Sequence, residues 1–482
     1  SDPAYGAHKE GMFYVDSTSY VTIKDMSFVP ATQTYPYVIH LYNQSRHATI
    51  DNVVVAAESV NGSQAASGMS LVKAEAKNED GKNNDFLTIT NSKFTGGYIA
   101  LYLGGTSYVK LTREEGLVVK NNTITEAGSK GVYATDEDNA VISGNTITQS
   151  TAQKTNYHGI DLSRTRGKTV VSSNKIVNAN SAYSYGIEVR NESYGSENEP
   201  ILVYNNSVSI TNSPNGSSAG IEIDGDNKNI SVAYNTVRIA GNGGYTFYSA
   251  RARSNEMYTG ISLTNNLFQN LTSSSENMFI YSTYINKAKA TTNAFSGSNI
   301  LSSTDIDALN TIEGNSGNLV ESAEFVSETD LHLKSAGKLN AATPIAGITT
   351  DADGATRDGA TPTIGAFEYK TIVTDKPVIA DGYPTVLNVK ETSADVNTKW
   401  NVSGKLYSKV EQIFETKAPA GRKAAPLRRA GVSAEDLLAG TPVDVTGDTE
   451  ATTKLTELEP NTKYKAYFIL VSAIDGSQSD IV

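Results

Sequence analysis

Apolar residues recur along the first two thirds of the chain in short alternating runs, each built around an Asn and followed by a polar, turn-rich stretch. The runs read ATIDNVVV (48–55), LTITNSKF (87–94), VVKNNTI (118–124), VISGNTI (141–147), VVSSNKI (170–176), LVYNNSV (202–208), VAYNTV (232–237), SLTNNLF (262–268) and ATTNAF (290–295). VTIKDMSF (21–28) is a first member with Asp25 in the Asn place. The anchors are Asn52, Asn91, Asn122, Asn145, Asn174, Asn206, Asn235, Asn266 and Asn293, spaced by 39, 31, 23, 29, 32, 29, 31 and 27 residues. A second run sits between anchors: GYIALYL (97–103), GVYA (131–134), GIDLS (159–163), GIEVR (186–190), GIEID (220–224) and GYTFYS (244–249). Alternation with a period of two is the mark of half-buried strands.

A unit of two short strands and turns cannot bury its apolar face alone. Stacking like faces solves that, and the irregular period argues against leucine-rich or propeller repeats, whose lengths are tighter. The expected fold is all-β, a parallel β-helix with inward ladders such as Ile160, Ile187 and Ile221. About ten coils at roughly 4.8 Å each make a rod near 50 Å long. Asn suits the corners because it tolerates left-handed backbone angles, and stacked amides bond along the column.

Composition narrows the function. A net charge of −12 over 482 residues argues against a large nucleic-acid footprint and leaves an acidic polymer only a local basic patch or a bridging cation. The chain has no Cys, which removes disulfides, zinc–thiolate sites and a Cys nucleophile. Charged residues are only 19%, against 39 Gly and 26 Tyr, a balance that favours strands and turns. No apolar run reaches membrane-spanning length. No signal-like segment opens the chain, as expected of a mature or trimmed form.

The repeats resemble the right-handed parallel β-helix superfamily that includes pectate lyases, polygalacturonases and many surface proteins. The resemblance covers residues 20 to about 300 and places the β-helix over 1–315. The stretch 316–371 is a closing segment. Its SETDLHLKSAGKLNAATPIAGITTDADGATRDGATPTIGAFEY (327–369) is similar to the ending of secreted bacterial β-helix proteins, through Asp351, Asp353, Gly354, Arg357 and then Ile364, Gly365, Ala366, Glu368. It reads as a polar cap over the last coil, with Arg357 paired to a carboxylate. The alternative is a calcium loop through Asp351, Asp353 and Asp358, although the Glu that closes an EF-hand loop is missing.

After VTDKPV (373–378), residues 376–482 resemble a small antiparallel β-sandwich of fibronectin type III-like character. Trp400 belongs in its core, and Tyr464 follows the pattern L-x-P-N-T-x-Y. A basic insertion, 415–441, holds a short helix at VSAEDLLAG, with Ser433 as N-cap and Glu435 and Asp436 in the first turn. Similar insertions occur in such modules on surface proteins of Bacteroidetes-type bacteria. The run Lys417, Arg422, Lys423, Arg428, Arg429 is a solvated loop or an anion site.

In β-helix enzymes the chemistry lies on an outer sheet face spanning several coils. Aligning the second runs predicts an outward column Tyr102, Tyr133, Asp161, Glu188, Glu222, Thr246, and beside it Thr135, Ser163, Arg190, Asp224, Tyr248. Three acids on successive coils lie about 5 Å apart, where they raise one another's pKa or bind a cation. Hard oxygen donors suit Ca²⁺, with Asp161, Glu188, Glu222 and Asp224 as its ligands.

Three readings stay open. A polysaccharide lyase would hold a uronate on Ca²⁺ and take its C5 proton with Arg190, Arg164, Lys168 or Arg251. A glycoside hydrolase would use two of the acids, which need roughly 6.5–9.5 Å for inversion. A non-catalytic adhesin, glycan-binding or structural surface protein would stack Tyr102, Tyr133, Tyr248 and Tyr281 on sugars, with Arg164 and Asp224 as further contacts. The Asn-Thr-Asp, Asp-Asp and Gly-His-Gly signature of polygalacturonases and the Arg-x-Pro-x-x-Arg of pectate lyases are both absent. His158 alone among five histidines adjoins the acids, in YHGIDLSR. The expectation is an extracellular or outer-surface protein that recognises polysaccharide along its β-helix. It is a monomer with no nucleic acid partner, no certain cofactor and Ca²⁺ as the possible ion.

Overall fold

The computed structural model describes residues 11–30, 37–59, 69–76, 83–104, 113–150, 156–179, 181, 183–214, 216–250, 258–273, 280–282, 289–297, 303–369, 376–413, 432–473 and 476–482. The chain divides into two units, Ser1–Tyr369 and Lys370–Val482.

The first unit is a parallel β-solenoid. Its first sheet has ten strands: Gly11–Asp16, Tyr37–Tyr42, Ser70–Glu75, Ile99–Gly104, Lys130–Thr135, Asn156–Ser163, Tyr183–Arg190, Ala219–Asp224, Tyr245–Ala250 and Ile280–Ser282. A second sheet of ten strands runs from Thr22–Lys24 to Lys289–Thr291. A third of eleven runs from Ser27–Phe28 to Leu319–Val320. Each of the ten coils adds one strand to each sheet, so the strands of a coil pair with those of the next and not with one another, and Leu319–Val320 closes the third sheet against Ala294–Gly297. Ile160 pairs with Ile187 and Ile187 with Ile221, all fully buried, as the alternation predicts.

The Asn repeat resolves into two adjacent columns with different tasks. One takes left-handed angles at the corner: Asp25, Asn52, Asn91, Asn121, Ser173, Asn205, Tyr234 and Asn265 all have φ near +50 to +60°. The next position is the buried ladder Asn122, Asn145, Asn174, Asn206, Asn235, Asn266, Asn293, Asn318. From Asn122 to Asn293, each Nδ2 donates to the Oδ1 one coil on and to a carbonyl of the preceding coil, as Asn174 does to Asn206 at 3.0 Å and to Ile142 at 2.9 Å. The same Oδ1 accepts a backbone N–H, so both donors and both lone pairs are used. Asn52 and Asn91 therefore belong to the corner column. Ser92 stands in the ladder place, and its N–H donates to Asn122. The ladder ends on Asn310, in α1 (Ser303–Thr311), a helix that the repeat pattern does not predict. Ile306 of α1 joins the main core.

The closing segment corrects the expectation of an end cap. It lies along the flank, with Phe325, Leu331, Leu339, Ile364 and Phe367 packed on Ala233, Tyr234, Leu267 and Ala294 of successive coils. Arg357 is its buried clasp. Its guanidinium donates to Asn205 Oδ1 (2.8 Å) and to the carbonyls of Thr363, Gly365 and Ala366, pairs with Glu368 at 3.4 Å and covers the Tyr234 ring at 3.9 Å. The three acids of the calcium-loop alternative have other partners. Asp351 accepts N–H groups of Asp353, Ala355 and Glu368, Asp358 those of Ala360 and Thr361, and Asp353 pairs with His332.

In the second unit, Thr385–Leu387, Ala394–Lys399 and Glu450–Leu455 form one antiparallel sheet. Val443–Val445, Gly404–Gln412 and Tyr464–Ser472 form another. They share a core of Val396, Trp400, Leu406, Val445, Phe468 and Leu470. The Tyr464 hydroxyl accepts the Glu459 N–H at 2.7 Å and ties the turn before its strand. The short helix is present as α2 (Ala434–Leu438), with Ser433 and Asp436 in a reciprocal capping box and Leu437 buried. The basic residues 417–429 lie outside the described residues.

Candidate functional site

The first sheet sets one outward residue per coil in a column: Tyr14, His40, Lys73, Tyr102, Tyr133, Asp161, Glu188, Glu222, Tyr248. Tyr281 continues it by backbone pairing. One expected alignment is corrected. Phe247 is the residue opposite Ile221, so Tyr248 stands beside Glu222, and Thr246 is buried instead of outward. The neighbouring column then runs Glu75, Gly104, Thr135, Ser163, Arg190, Asp224, and Ala250 follows by backbone pairing.

A third column completes the face: Lys130, His158, Tyr185, Ala219, Tyr245. Each of the first four precedes a glycine of the second run, at 131, 159, 186 and 220. A Cβ on Gly159 would come within 2.6 Å of Ile176 Cγ2 and 2.7 Å of the Gly186 carbonyl, so this close approach admits only glycine. The "x-Gly" step was the sequence signal for Lys130 and Tyr185, which the strand alignment passed over.

The column places charges where neighbours hold them. Asp161 is fully buried. Arg190 grips it with Nε to Oδ1 and Nη2 to Oδ2, both 2.9 Å, and Lys130 pairs with Oδ2. Burial alone would raise this carboxyl, but Lys130, Arg190 and His158 outweigh it and hold the pKa down at about 2. Burial would likewise lower Arg190, yet Asp161 and Glu188 push its pKa up, and the guanidinium stays charged. Glu188 Oε2 lies 2.9 Å from His158 Nδ1 and 3.3 Å from Arg190 Nε. The His158 ring stacks on Tyr185 at 4.5 Å. Burial, and then the Asp161 charge, push the Tyr133 hydroxyl up.

Towards the start of the solenoid the face is aromatic. Tyr102 and Tyr133 meet edge to face at 5.1 Å, with the Lys130 ammonium 4.2 Å over Tyr133 and that of Lys73 5.2 Å over Tyr102. Lys73 also bonds Glu75 (2.8 Å) and the Tyr37 hydroxyl (2.9 Å), and the buried His40 faces Glu75 at 3.3 Å. Arg164 leaves the face. It forms a two-pronged pair with Asp136, both contacts 2.7 Å, at the corner past the sheet. Lys168 pairs with Glu199 on the surface, and Arg251 lies outside the described residues.

Among the described residues two groups of donors converge enough to consider a metal: His158, Asp161 and Glu188, and Glu188, Glu222 and Asp224, each with ligand atoms within 4.8 Å of one another. The first fits poorly. Asp161 already carries a guanidinium and an ammonium, and a divalent ion would meet both. The second, all carboxylate, has the donor chemistry of a hard cation.

Among the described residues no helix is long and apolar enough to cross a membrane. No curated protein matches the chain. Residues 10–213, the first seven coils of the solenoid with Asp161, Glu188 and Arg190, match the model of a family described as periplasmic copper-binding protein (NosD), a family of right-handed parallel β-helix fold.

Proposed function

We propose that this is an exported protein that binds polysaccharide along the outward face of its first sheet, without catalysis. One observation carries the reading: tyrosine rings flank a set of carboxylates in a single column, Tyr102 and Tyr133 on one side, Tyr248 on the other, with Asp161, Glu188 and Glu222 between and the first two held by ion pairs. Rings stack on sugar faces, and immobilised carboxylates and guanidinium groups exchange hydrogen bonds with hydroxyls. Immobility favours binding over chemistry. A carboxyl held at about 2 gives no proton to a leaving group at neutral pH, and a guanidinium gripped by a buried carboxylate does not act as a base. The periplasmic description of the matched family supports export. The second unit, with its two small antiparallel sheets, would serve as a fibronectin-like spacer.

A second reading rests on Glu188, Glu222 and Asp224 as a divalent-cation site. The matched family's description names copper, but these oxygens suit Ca²⁺ better than a soft or imidazole-seeking metal. The test is binding to neutral and uronate polysaccharides by calorimetry, with and without Ca²⁺, alongside an ultraviolet assay for unsaturated sugar ends. Tyr133→Ala is expected to weaken binding about tenfold and leave folding intact. Unsaturated ends that vanish in Glu188→Ala would replace binding with a lyase. Binding that Tyr133→Ala leaves untouched would move the ligand off this face.

A further inference from the structure

A second polar column is buried where the chain leaves the first sheet: Ser45, Asn84, Glu114, Glu137, Thr165, Ser193, Asn227. Its rule resembles that of the Asn ladder, with a side-chain oxygen on one coil accepting a backbone N–H from the coil before. Asn84 Oδ1 takes the Ser45 N–H (2.8 Å), Ser193 Oγ that of Thr165 (3.1 Å) and Asn227 Oδ1 that of Ser193 (3.1 Å). Glu114 obeys it too, its Oε1 accepting both the N–H and the amide of Asn84 at 3.3 Å.

Glu137 breaks the rule. The Glu114 N–H, its expected donor, goes to the Asp136 carbonyl at 2.9 Å. Glu137 Oε2 is buried with no hydrogen-bond partner among the described residues. The two glutamates are paired residues of adjacent parallel strands, Glu114–Glu115 and Glu137–Asp138, roughly 4.8 Å apart along the solenoid. The groups around them make double ionisation worse. Asp85 and Glu75 face Glu114, and Asp85 and Asp138 face Glu137. Arg113 faces Glu137 as well, but its bonds run to the Asp138 carboxylate and to the carbonyls of Glu137 (3.1 Å) and Arg164 (2.7 Å). Two buried carboxylates one coil apart, one with an unbonded oxygen, carry an energetic cost that a proton removes.

We infer that Glu114 and Glu137 form a proton-retaining carboxyl pair, and that its ionisation loosens the fourth and fifth coils of the solenoid as pH rises. Burial is the chief cause at both residues; the Asn84 hydrogen bonds oppose it at Glu114, Arg113 opposes it at Glu137, and the neighbouring acids add to it. Glu114 is pushed up to about 8 from an ordinary 4.5, and Glu137 well above 4.5. A pKa raised on folding contributes stability that is complete below the unfolded value and is lost as pH rises through the folded one. The loss therefore falls between about pH 4.5 and 8, where paired surface carboxylates would give none.

The experiment uses the full chain. Thermal unfolding of the wild type, Glu137→Gln and Glu114→Gln is followed from about pH 5 to 9, with infrared spectra of the folded protein in D₂O. The wild type is expected to lose several degrees over this range. Glu137→Gln, which keeps the shape and cannot ionise, should flatten the curve and unfold later than wild type at the alkaline end. A protonated-carboxyl stretch is expected at about pH 6, diminished in each variant. Parallel curves for wild type and Glu137→Gln, or no such stretch in the wild type, overturn the inference. If either variant fails to fold, the wild-type infrared band decides by itself.

Discussion

The Asn ladder and the outward column of the first sheet are built on the same device, one side chain per coil in fixed register, and they put it to opposite uses. In the ladder all eight positions carry the same residue, and each amide satisfies the next, so nothing is left for a ligand. In the outward column Tyr, Asp, Glu and Lys succeed one another, and Lys73, Asp161 and Glu188 are each held by a neighbour on another column. Uniform repetition that closes on itself is structure. Variation on a repeating frame is where recognition is built. The Glu114–Glu137 step lies between these limits, a buried column that nearly repeats the ladder's rule and fails at one residue.

Breaking the ladder should have the largest effect on stability. Asn174→Ala removes the acceptor of the Asn145 N–H and amide and one donor to Asn206 Oδ1, all buried. Unsatisfied buried groups cost about 1–3 kcal/mol each, so a loss of about 3 kcal/mol is expected in denaturant unfolding. Tyr133→Ala, one sheet away, should cost under about 1 kcal/mol of stability while reducing binding. Equal effects of the two would erase the distinction. Arg357→Met comes next. It removes the donors that hold the Asn205 side chain and the Gly365 and Ala366 carbonyls, and leaves Glu368 without its cation. About 2–3 kcal/mol of local stability should go, read as faster amide exchange in 342–368 with the solenoid core unchanged.

How much of this was legible follows from which signals are periodic. The strand alternation located the inward ladders and the acids of the outward column, because a period of two is set by backbone geometry. It misplaced Tyr248 by one column, because GYTFYS offers both Tyr245 and Phe247 as the inward residue and only packing against Ile221 chooses. It merged two Asn columns into one, because NN in VVKNNTI and LVYNNSV satisfies a left-handed corner and an amide ladder with adjacent residues. Asn52 and Asn91 show only the first of these. The partners of the acids were less visible. Lys130 sits 31 residues from Asp161, and Arg190 sits 29, so each contact depends on coil length and not on any local motif. α1 and the flank position of the closing segment depend on tertiary burial of Ile306, Phe325 and Ile364, which no repeat encodes.

The smallest expected effect sharpens the contrast between held charges inside and outside the column. His332, on the closing segment, lies between Asp330 (2.5 Å) and Asp353 (2.8 Å) and stacks on Phe367 at 3.8 Å. The bond to Asp353 chiefly, then Asp330, raises its pKa to about 9 from 6.5 in spite of partial burial. Because the folded value is the higher, this contribution is complete below pH 6.5 and is lost as pH climbs through about 9. The ring is 42% exposed, so solvent screens the pair, and a few tenths of a kcal/mol is the expected size. His332→Gln should lower stability slightly at about pH 6 and not at all near pH 10, the reverse of the alkaline gain expected for Glu137→Gln. Raising salt should shrink the His332 effect and leave the Glu137 effect standing, since screening reaches an exposed pair and not a buried one. If both effects faded together with salt, the Glu137 carboxyl would have to be in contact with solvent.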